Sequence, residues 1–475
     1  MTHHLSISRA LRTSVALAAI AGMAAPGPAF AQAPLLPDAT LAGDDPDGTL
    51  TAFGDAFAAS GDSWGDWLFL GAPRETAERD GAEFRDGAVY IYKRGEDGDY
   101  AFVQKLTMPG SAPAGGDAFG AGVDAASGWL FVAAANDVDF DGQTDPNNQA
   151  FRFAGQVHVY ELVGSSWEFS QTLISPTPKG FGAFGARTQS SNIALRDDAK
   201  IAVIGEANNF PGATGQLHSY RLDDELGWVY VQTLDAPLGV ANERFGDDLV
   251  FLDRKYLLAG GLNPVSAMEG QGYVSVFQAK GASGQFFATP NQIVYGEVFN
   301  PSTCPIGPDY LFGSTGFDSR GGTTVVAEPC ASGSSGPFVG KLSIFGTANG
   351  SSPLRLETEI YGDDPGSFLG GNIFSSVASV SVSESGDRFL AGSPLADGMP
   401  PVPDGGPVYL FGDGPGGWEL ETTLTTDTPA VGAFRGYGDT VLFVGDDTAV
   451  VRENNYLQPI ETGLKGRALI YDLDD

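Results

Sequence analysis

The sequence predicts an all-β fold, a seven-bladed β-propeller, on three observations. Glycine is abundant (66 of 475 residues), and apolar residues fall in short alternating runs split by Gly, Pro, Asn and Asp, with almost no helical periodicity. One strand-like unit recurs seven times in constant order with its companion elements. The two ends of the chain complement each other, because the last repeat lacks a final strand and the N-terminal region offers one.

The recurring unit is a glycine followed by an alternating strand that ends in an aromatic residue. It reads Gly87-Ala-Val-Tyr-Ile-Tyr92, Gly155-Gln-Val-His-Val-Tyr160, Gly215-Gln-Leu-His-Ser-Tyr220 and Gly272-Tyr-Val-Ser-Val-Phe277. It continues as Gly340-Lys-Leu-Ser-Ile-Phe345, Gly406-Pro-Val-Tyr-Leu-Phe411 and Gly466-Arg-Ala-Leu-Ile-Tyr471. The six intervals from Gly87 to Gly466 average roughly 63 residues, which suits a four-stranded blade with generous loops.

An apolar run ending in small residues precedes each unit, clearest as Leu68-Phe-Leu-Gly-Ala-Pro73 and Leu390-Ala-Gly-Ser-Pro394. Ahead of it stands Phe-Gly, at Phe53-Gly54, Phe119-Gly120, Phe184-Gly185, Phe245-Gly246 and Phe312-Gly313. The sixth and seventh repeats show Phe368-Leu369 and Phe434-Arg435 there, without a clean pair. A fourth element trails each unit as an aromatic, an alternating stretch and Leu: Tyr100 to Leu106, Trp167 to Leu173, Trp228 to Leu234, Trp418 to Leu424. The seven repeats divide the chain at approximately 53–116, 117–180, 181–242, 243–298, 299–366, 367–429 and 430–475, the last completed by 33–42. In that reading the stretch near Leu35–Leu41 pairs as the outer strand of the last blade, which closes the ring and covers an open edge.

Residues 1–31 read as a cleaved signal peptide. Arg9 and Arg12 precede a short apolar run from Val15 to Ala21, and Ala29-Phe30-Ala31 supplies small residues at a peptidase site. The run is too short to span about 30 Å of hydrocarbon. The expected location is therefore secreted, periplasmic or cell-surface, with no transmembrane segment.

The formal net charge is −33, with 59 acids against 26 Lys and Arg. Such a surface excludes nucleic acid as a partner, because that affinity comes from neutralising phosphates. It suits solubility in a salty medium. The two cysteines, Cys304 and Cys330, are expected to form one disulfide in an exported chain, a local staple on a loop of about 26 residues.

The repeat, Phe-Gly, then Gly-Ala-Pro, then Gly-x-Val-x-Val-Tyr, resembles the FG-GAP repeat of integrin alpha chains and of many bacterial surface proteins. The resemblance covers nearly the whole chain after residue 31 and implies a propeller that displays loops. Within it, Asp137-Val-Asp139-Phe-Asp141-Gly142-Gln143-Thr-Asp145 is similar to the short calcium loop of integrin-type repeats. Calcium takes six to eight hard oxygens, and carboxylates on alternate residues of a tight loop converge on one centre. Asp137, Asp139, Asp141 and Asp145, with the Gln143 carbonyl, are the expected Ca2+ ligands. The loop departs from the family in following Ala133-Ala134-Ala135 rather than lying between Phe-Gly and Gly-Ala-Pro, and Asn148 stands where an EF-hand has its glutamate.

Catalytic motifs are scarce. His158 and His218 occupy the same slot of adjacent repeats and read as blade packing. Neither a phosphate loop nor a His-x-x-x-His pair occurs. Trp129, Trp167, Trp228 and Trp418 read as packing residues, whereas Trp64 and Trp67 are candidates for an exposed sugar-stacking surface. Two insertions, Arg74–Asp86 and Asn136–Ala154, fall at equivalent places in adjacent repeats and should share one rim.

These features lead to the expectation of a non-catalytic extracellular binding or adhesion module, calcium-stabilised, that presents loops to a protein or glycan. The alternative is a propeller hydrolase or lyase acting on polysaccharide. Convergence of three or more titratable side chains on a central cleft is the feature that separates the enzyme from the binder.

Overall fold

The computed structural model describes residues 34–42, 56–59, 66–109, 118–135, 153–265, 270–298, 312–371, 379–393, 406–426, 435–455 and 467–474, apart from breaks of up to four residues within those spans. Among them every regular element is a strand. They form seven four-stranded antiparallel sheets and two small two-stranded hairpins.

Each of the first six blades is a meander running from an inner to an outer strand. Blade 2 takes Phe119–Ala126, Trp129–Ala134, Gln156–Val163 and Ser166–Leu173 in that order. The innermost strands of consecutive blades lie against one another right around the ring, and the circle closes where Ala56–Ala59 of blade 1 meets Arg435–Val444 of blade 7.

Blade 7 is completed as the sequence predicts. Ala39–Ala42 pairs antiparallel with Arg467–Asp472, setting Ala39 opposite Ile470 and Ala42 opposite Arg467. The Leu35 amide donates to the Thr423 carbonyl at 2.9 Å, so the same segment also fastens to blade 6. A second lock joins blades 1 and 7, where Arg94 Nη1 donates to both carboxylate oxygens of Asp447 at 2.8 and 2.9 Å.

The core lies between blades, not within them. Seven apolar clusters each join two neighbouring sheets, one for every junction of the ring. The second strands are therefore buried on both faces; all of Trp67–Ala72 is buried. This accounts for runs such as Leu68-Phe-Leu-Gly-Ala, which are continuous in hydrophobicity where a half-exposed strand would alternate.

The repeat glycines are explained by the same junctions. Gly155 has φ +81°, and a Cβ there would lie 2.7 Å from both N and O of Phe184, in the next blade. Gly87, Gly215 and Gly340 stand in the same relation to Phe119, Phe245 and Leu369. The Phe-Gly of one repeat is thus a docking element for the glycine-led strand of the repeat before it.

This docking corrects the reading of the last two repeats. A Cβ on Gly370 would fall on Leu342, and one on Gly438 on Val408, as one on Gly185 would fall on Val157 and one on Gly246 on Leu217. All four glycines have positive φ. Leu369-Gly370 and Tyr437-Gly438 therefore fill the slot, and both repeats keep the pair with a different large residue in front. The expectation missed them because it required Phe and tolerated no shift in spacing.

A further repeat feature escaped the sequence reading altogether. Gln171 of blade 2 donates to the Trp228 carbonyl at 2.9 Å and accepts from the Trp228 amide at 2.8 Å, on the outer strand of blade 3. Gln104 clamps Trp167, Gln232 clamps Phe286 and Gln292 clamps Leu354 in the same two-bond manner. A primary amide carries one donor and one acceptor side by side, so it satisfies a peptide group at an open strand edge. Thr358 and Thr422 hold the corresponding register in blades 5 and 6.

Candidate functional site in the central channel

The innermost strands bring four titratable side chains to the axis of the ring. Asp124 lies on the inner strand of blade 2, Asp248 at the entry to that of blade 4, and Asp318 and Arg320 on that of blade 5. Blades 2 and 5 stand well apart around the ring. Even so, the Asp124 carboxyl feels the charges of both Asp318 and Arg320, and Asp248 feels that of Asp318. Only the space at the centre connects these residues. Each is half-buried.

Local structure fixes where these aspartates point. Inner strands of different blades share no backbone ladder, and a carboxylate bridges the gap. Asp124 accepts from its own neighbour Ala125 at 3.0 Å and from Leu195 in the next blade at 2.7 Å. Asp248 repeats this with Leu249 at 2.9 Å and Phe317 at 3.1 Å, and Asp318 with Ser319 and Val382, both at 2.7 Å. In blade 6 a hydroxyl does the same work, Ser381 Oγ accepting from Phe443 at 3.1 Å.

Electrostatics gives two of them a second property. Desolvation pushes Asp124 up to about 7 and outweighs the backbone hydrogen bonds and Arg320, all of which lower it; Asp318 raises it further. Asp248 is pushed up to about 7 for the same reason, with Asp318 and Asp247 adding to the effect. Both carboxyls are therefore populated as acid and as base near neutrality, the condition for proton transfer in either direction.

A buried polar cluster in blade 3 has a structural arrangement. Glu206 Oε2 accepts from Ser175 Oγ at 2.7 Å and from His218 Nε2 at 2.9 Å, while His218 Nδ1 lies 3.0 Å from Thr233 Oγ1. Serine bonds the carboxylate and not the imidazole, so the Ser–His contact of a nucleophilic pair is absent from this cluster. Glu206 and His218 are fully buried. In blade 2, His158 sits in the same slot with Nδ1 3.1 Å from Thr172 Oγ1. Opposite Gln156, where blade 3 has Glu206 opposite Gln216, blade 2 has Ala134, and burial pushes His158 down to about 4. Both histidines are buried against aromatic side chains of their own repeats, His158 against Phe119 and Phe169 and His218 against Phe184.

Other expected site residues fare differently. The calcium ligands Asp137, Asp139, Asp141, Gln143 and Asp145 lie outside the described residues, as do Cys304 and Trp64. Cys330 is buried. Trp67 is corrected: at 2% exposure it stands edge-on to Trp167, 5.6 Å between rings, inside the junction of blades 1 and 2, and offers no sugar platform. The first insertion carries a small hairpin of Ala77–Arg79 and Ala82–Phe84. No helix among the described residues is long and apolar enough to cross a membrane, and none of their acidic, histidine or cysteine side chains gather in a group of three suited to a metal.

No family model matches the chain, and no curated protein does. Among solved structures it is similar to a protein described as a "putative 6-phosphogluconolactonase" from Bacteroides fragilis, with a TM-score of 0.44 and 10% identity, covering 79% of this chain and 85% of that one. It is also similar to a periplasmic gluconolactonase of Pseudomonas aeruginosa, with a TM-score of 0.40, 12% identity and coverage of 79% and 86%. A third is Sqt1 of Chaetomium thermophilum, with a TM-score of 0.41, 11% identity and coverage of 90% and 97%. At such scores the likenesses carry nothing about this chain's substrate.

The expectation of a non-enzyme is corrected here. Two of these three structures bear lactonase names. Within the chain itself, titratable groups from three blades converge on the centre. The expectation failed because Asp124, Asp248 and Asp318 are far apart in sequence and belong to no motif. The one signal available was an Asp at the same step of the second and fifth repeats.

Proposed function

We propose that the protein is a propeller hydrolase acting on carbohydrate, with Asp124 and Asp248 as its acid–base groups at the central channel. The observation that carries this reading is the convergence of Asp124, Asp248, Asp318 and Arg320 from three blades, two of the carboxyls titrating near 7. One carboxyl in its acid form protonates a leaving oxygen, and the other in its base form activates water. The ring is of the FG-GAP type in this reading, supported by the six docking pairs from Phe119-Gly120 to Tyr437-Gly438. Export, the Cys304–Cys330 disulfide and a Ca2+ held by Asp137, Asp139, Asp141, Gln143 and Asp145 belong to the same proposal. Calcium titration calorimetry with and without chelator tests the last of these.

The deciding experiment is release of reducing ends from neutral and acidic polysaccharides by the wild type, Asp124→Asn and Asp248→Asn. Asparagine keeps an oxygen to accept the inter-blade amide but exchanges no proton. The expected result is activity governed by a group titrating near pH 7 and lost at least a hundredfold in each variant, with melting temperature kept within a few degrees. An unsaturated product, seen by its ultraviolet absorbance, would mark elimination instead. Activity that survives both substitutions would sink the assignment and leave these aspartates as inter-blade latches.

A further inference from the structure

Arg320 is the exception among the half-buried arginines of the described residues. Acids outnumber Lys and Arg by 59 to 26, so a half-buried guanidinium would be expected to hold a carboxylate. Arg94 holds Asp447, Arg221 holds Asp223, Arg388 holds Glu421 and Arg467 holds Glu453. Arg320 makes neither a hydrogen bond nor an ion pair with any described residue, and its Nη1 is shielded from solvent with no partner.

The lack of a partner does not follow from its place in the blade. Arg196 occupies the corresponding step of blade 3, two residues after the position that pairs with Val203, as Arg320 follows the position that pairs with Val325. Arg196 is held on every side: its Nε and Nη2 donate to the two oxygens of Asp198 at 2.8 Å, and its Nη1 to the carbonyls of Arg254 and Gly281 at 3.2 Å. That is the arrangement of an arginine serving the fold. Arg320 lies on the strand face of Asp318, with Ser319 turned the other way to Thr324. From there its charge reaches Asp124 across the axis. The Asp318 oxygens are already taken by the Ser319 and Val382 amides.

We propose that Arg320 is the substrate-binding residue of the channel and that it takes the carboxylate of an acidic sugar, so that the substrate class is a uronic-acid-containing glycan. This rests on the hydrolase reading above. A guanidinium presents a planar fork that fits a carboxylate through two parallel hydrogen bonds. Asp318 on the same strand face and Asp124 across the axis repel a doubly charged phosphate more than a singly charged carboxylate, which selects the latter. With its carboxylate on Arg320, a sugar unit is anchored beside the two acid–base groups.

The test is calorimetric binding of tri-galacturonate and of its methyl ester, the same trisaccharide without charge. It is done with the full chain as wild type, Arg320→Gln and Arg320→Lys, each also carrying Asp124→Asn to prevent turnover. The acid should bind at least tenfold more tightly than the ester to the Arg320 protein. Arg320→Gln should erase the difference without lowering the melting temperature, since no protein contact is lost, and Arg320→Lys should keep part of it. Equal binding of acid and ester, binding of neither, or a preference that persists in Arg320→Gln would overturn the proposal. So would competition by inorganic phosphate stronger than that by acetate. The two readings fail separately: Arg320-dependent binding without hydrolysis by the wild type removes the hydrolase and keeps this site. Hydrolysis of neutral glycans with no preference for the acid does the reverse.

Discussion

Gly155→Ala isolates the device on which the ring depends. The substitution carries two penalties, and the structure separates them. At φ +81° an alanine is strained by about 1 kcal/mol. Its Cβ would also lie 2.7 Å from N and O of Phe184, where ordinary contact begins near 3.4 Å, so the Phe184 backbone must retreat by about 0.7 Å. That backbone is tied back by the Phe184 amide donating to the Ala154 carbonyl at 2.9 Å, and Phe184 itself is fully buried. Losing the hydrogen bond costs about 1 kcal/mol, and repacking an overfilled junction about 1–3 kcal/mol. The sum is about 3–5 kcal/mol. Gly164 of the same blade supplies the control: its φ is +65° and nothing lies within 4 Å of a Cβ there, so Gly164→Ala should cost only about 1 kcal/mol. Urea unfolding of the two variants against wild type measures both numbers. In a thermal scan the same loss is about 4 °C, because the entropy of unfolding a chain this long is large. If Gly155→Ala and Gly164→Ala prove equally destabilising, the docking explanation of the repeat glycine is wrong and only its backbone angle matters.

Three further outcomes are expected. Gln171→Ala removes both bonds to Trp228 and strands a peptide group at a strand edge, so urea unfolding should show a loss of about 2–3 kcal/mol, and no loss would demote the clamp to decoration. Leu41→Ala, in the N-terminal strand and 5% exposed among side chains of blades 7 and 1, should cost about 2–4 kcal/mol, and deleting residues 34–42 more; a deletion variant that melts like wild type contradicts the closure. Burial holds His158 down to about 4 against an ordinary 6.5, so its share of stability is present above pH 6.5 and is lost as pH falls through 6.5 toward 4. The stability difference between wild type and His158→Phe should therefore shift toward the variant by up to about 3 kcal/mol across that window, and a difference that stays constant with pH would refute the assignment.

The sequence by itself determined the repeat, the number of blades and the closing strand. Each is a local pattern copied along the chain: a glycine that only a positive φ explains, an apolar run, an aromatic ending. Seven copies made weak signals add, and a repeat short of one strand pointed to the segment that completes it. Tertiary structure alone decided what the copies touch. Phe184 docks on Gly155 and Gln171 clamps Trp228 across blade boundaries, contacts that no periodicity within one repeat reveals. It also showed that Leu369-Gly370 and Tyr437-Gly438 do the work of Phe-Gly, because the slot demands a glycine and a large neighbour and not phenylalanine as such.

The candidate site belongs to the tertiary level for the same reason. Asp124, Asp248, Asp318 and Arg320 are separated by up to about two hundred residues and share no motif. Within one repeat each is one more charged residue of an acidic chain. Curling the sheets into a ring sets the inner strands around one axis, strips water from the carboxyls there, and moves Asp124 and Asp248 into the range where they can exchange protons. Desolvation depends on what surrounds a group in space, and that is fixed only when the last blade meets the first.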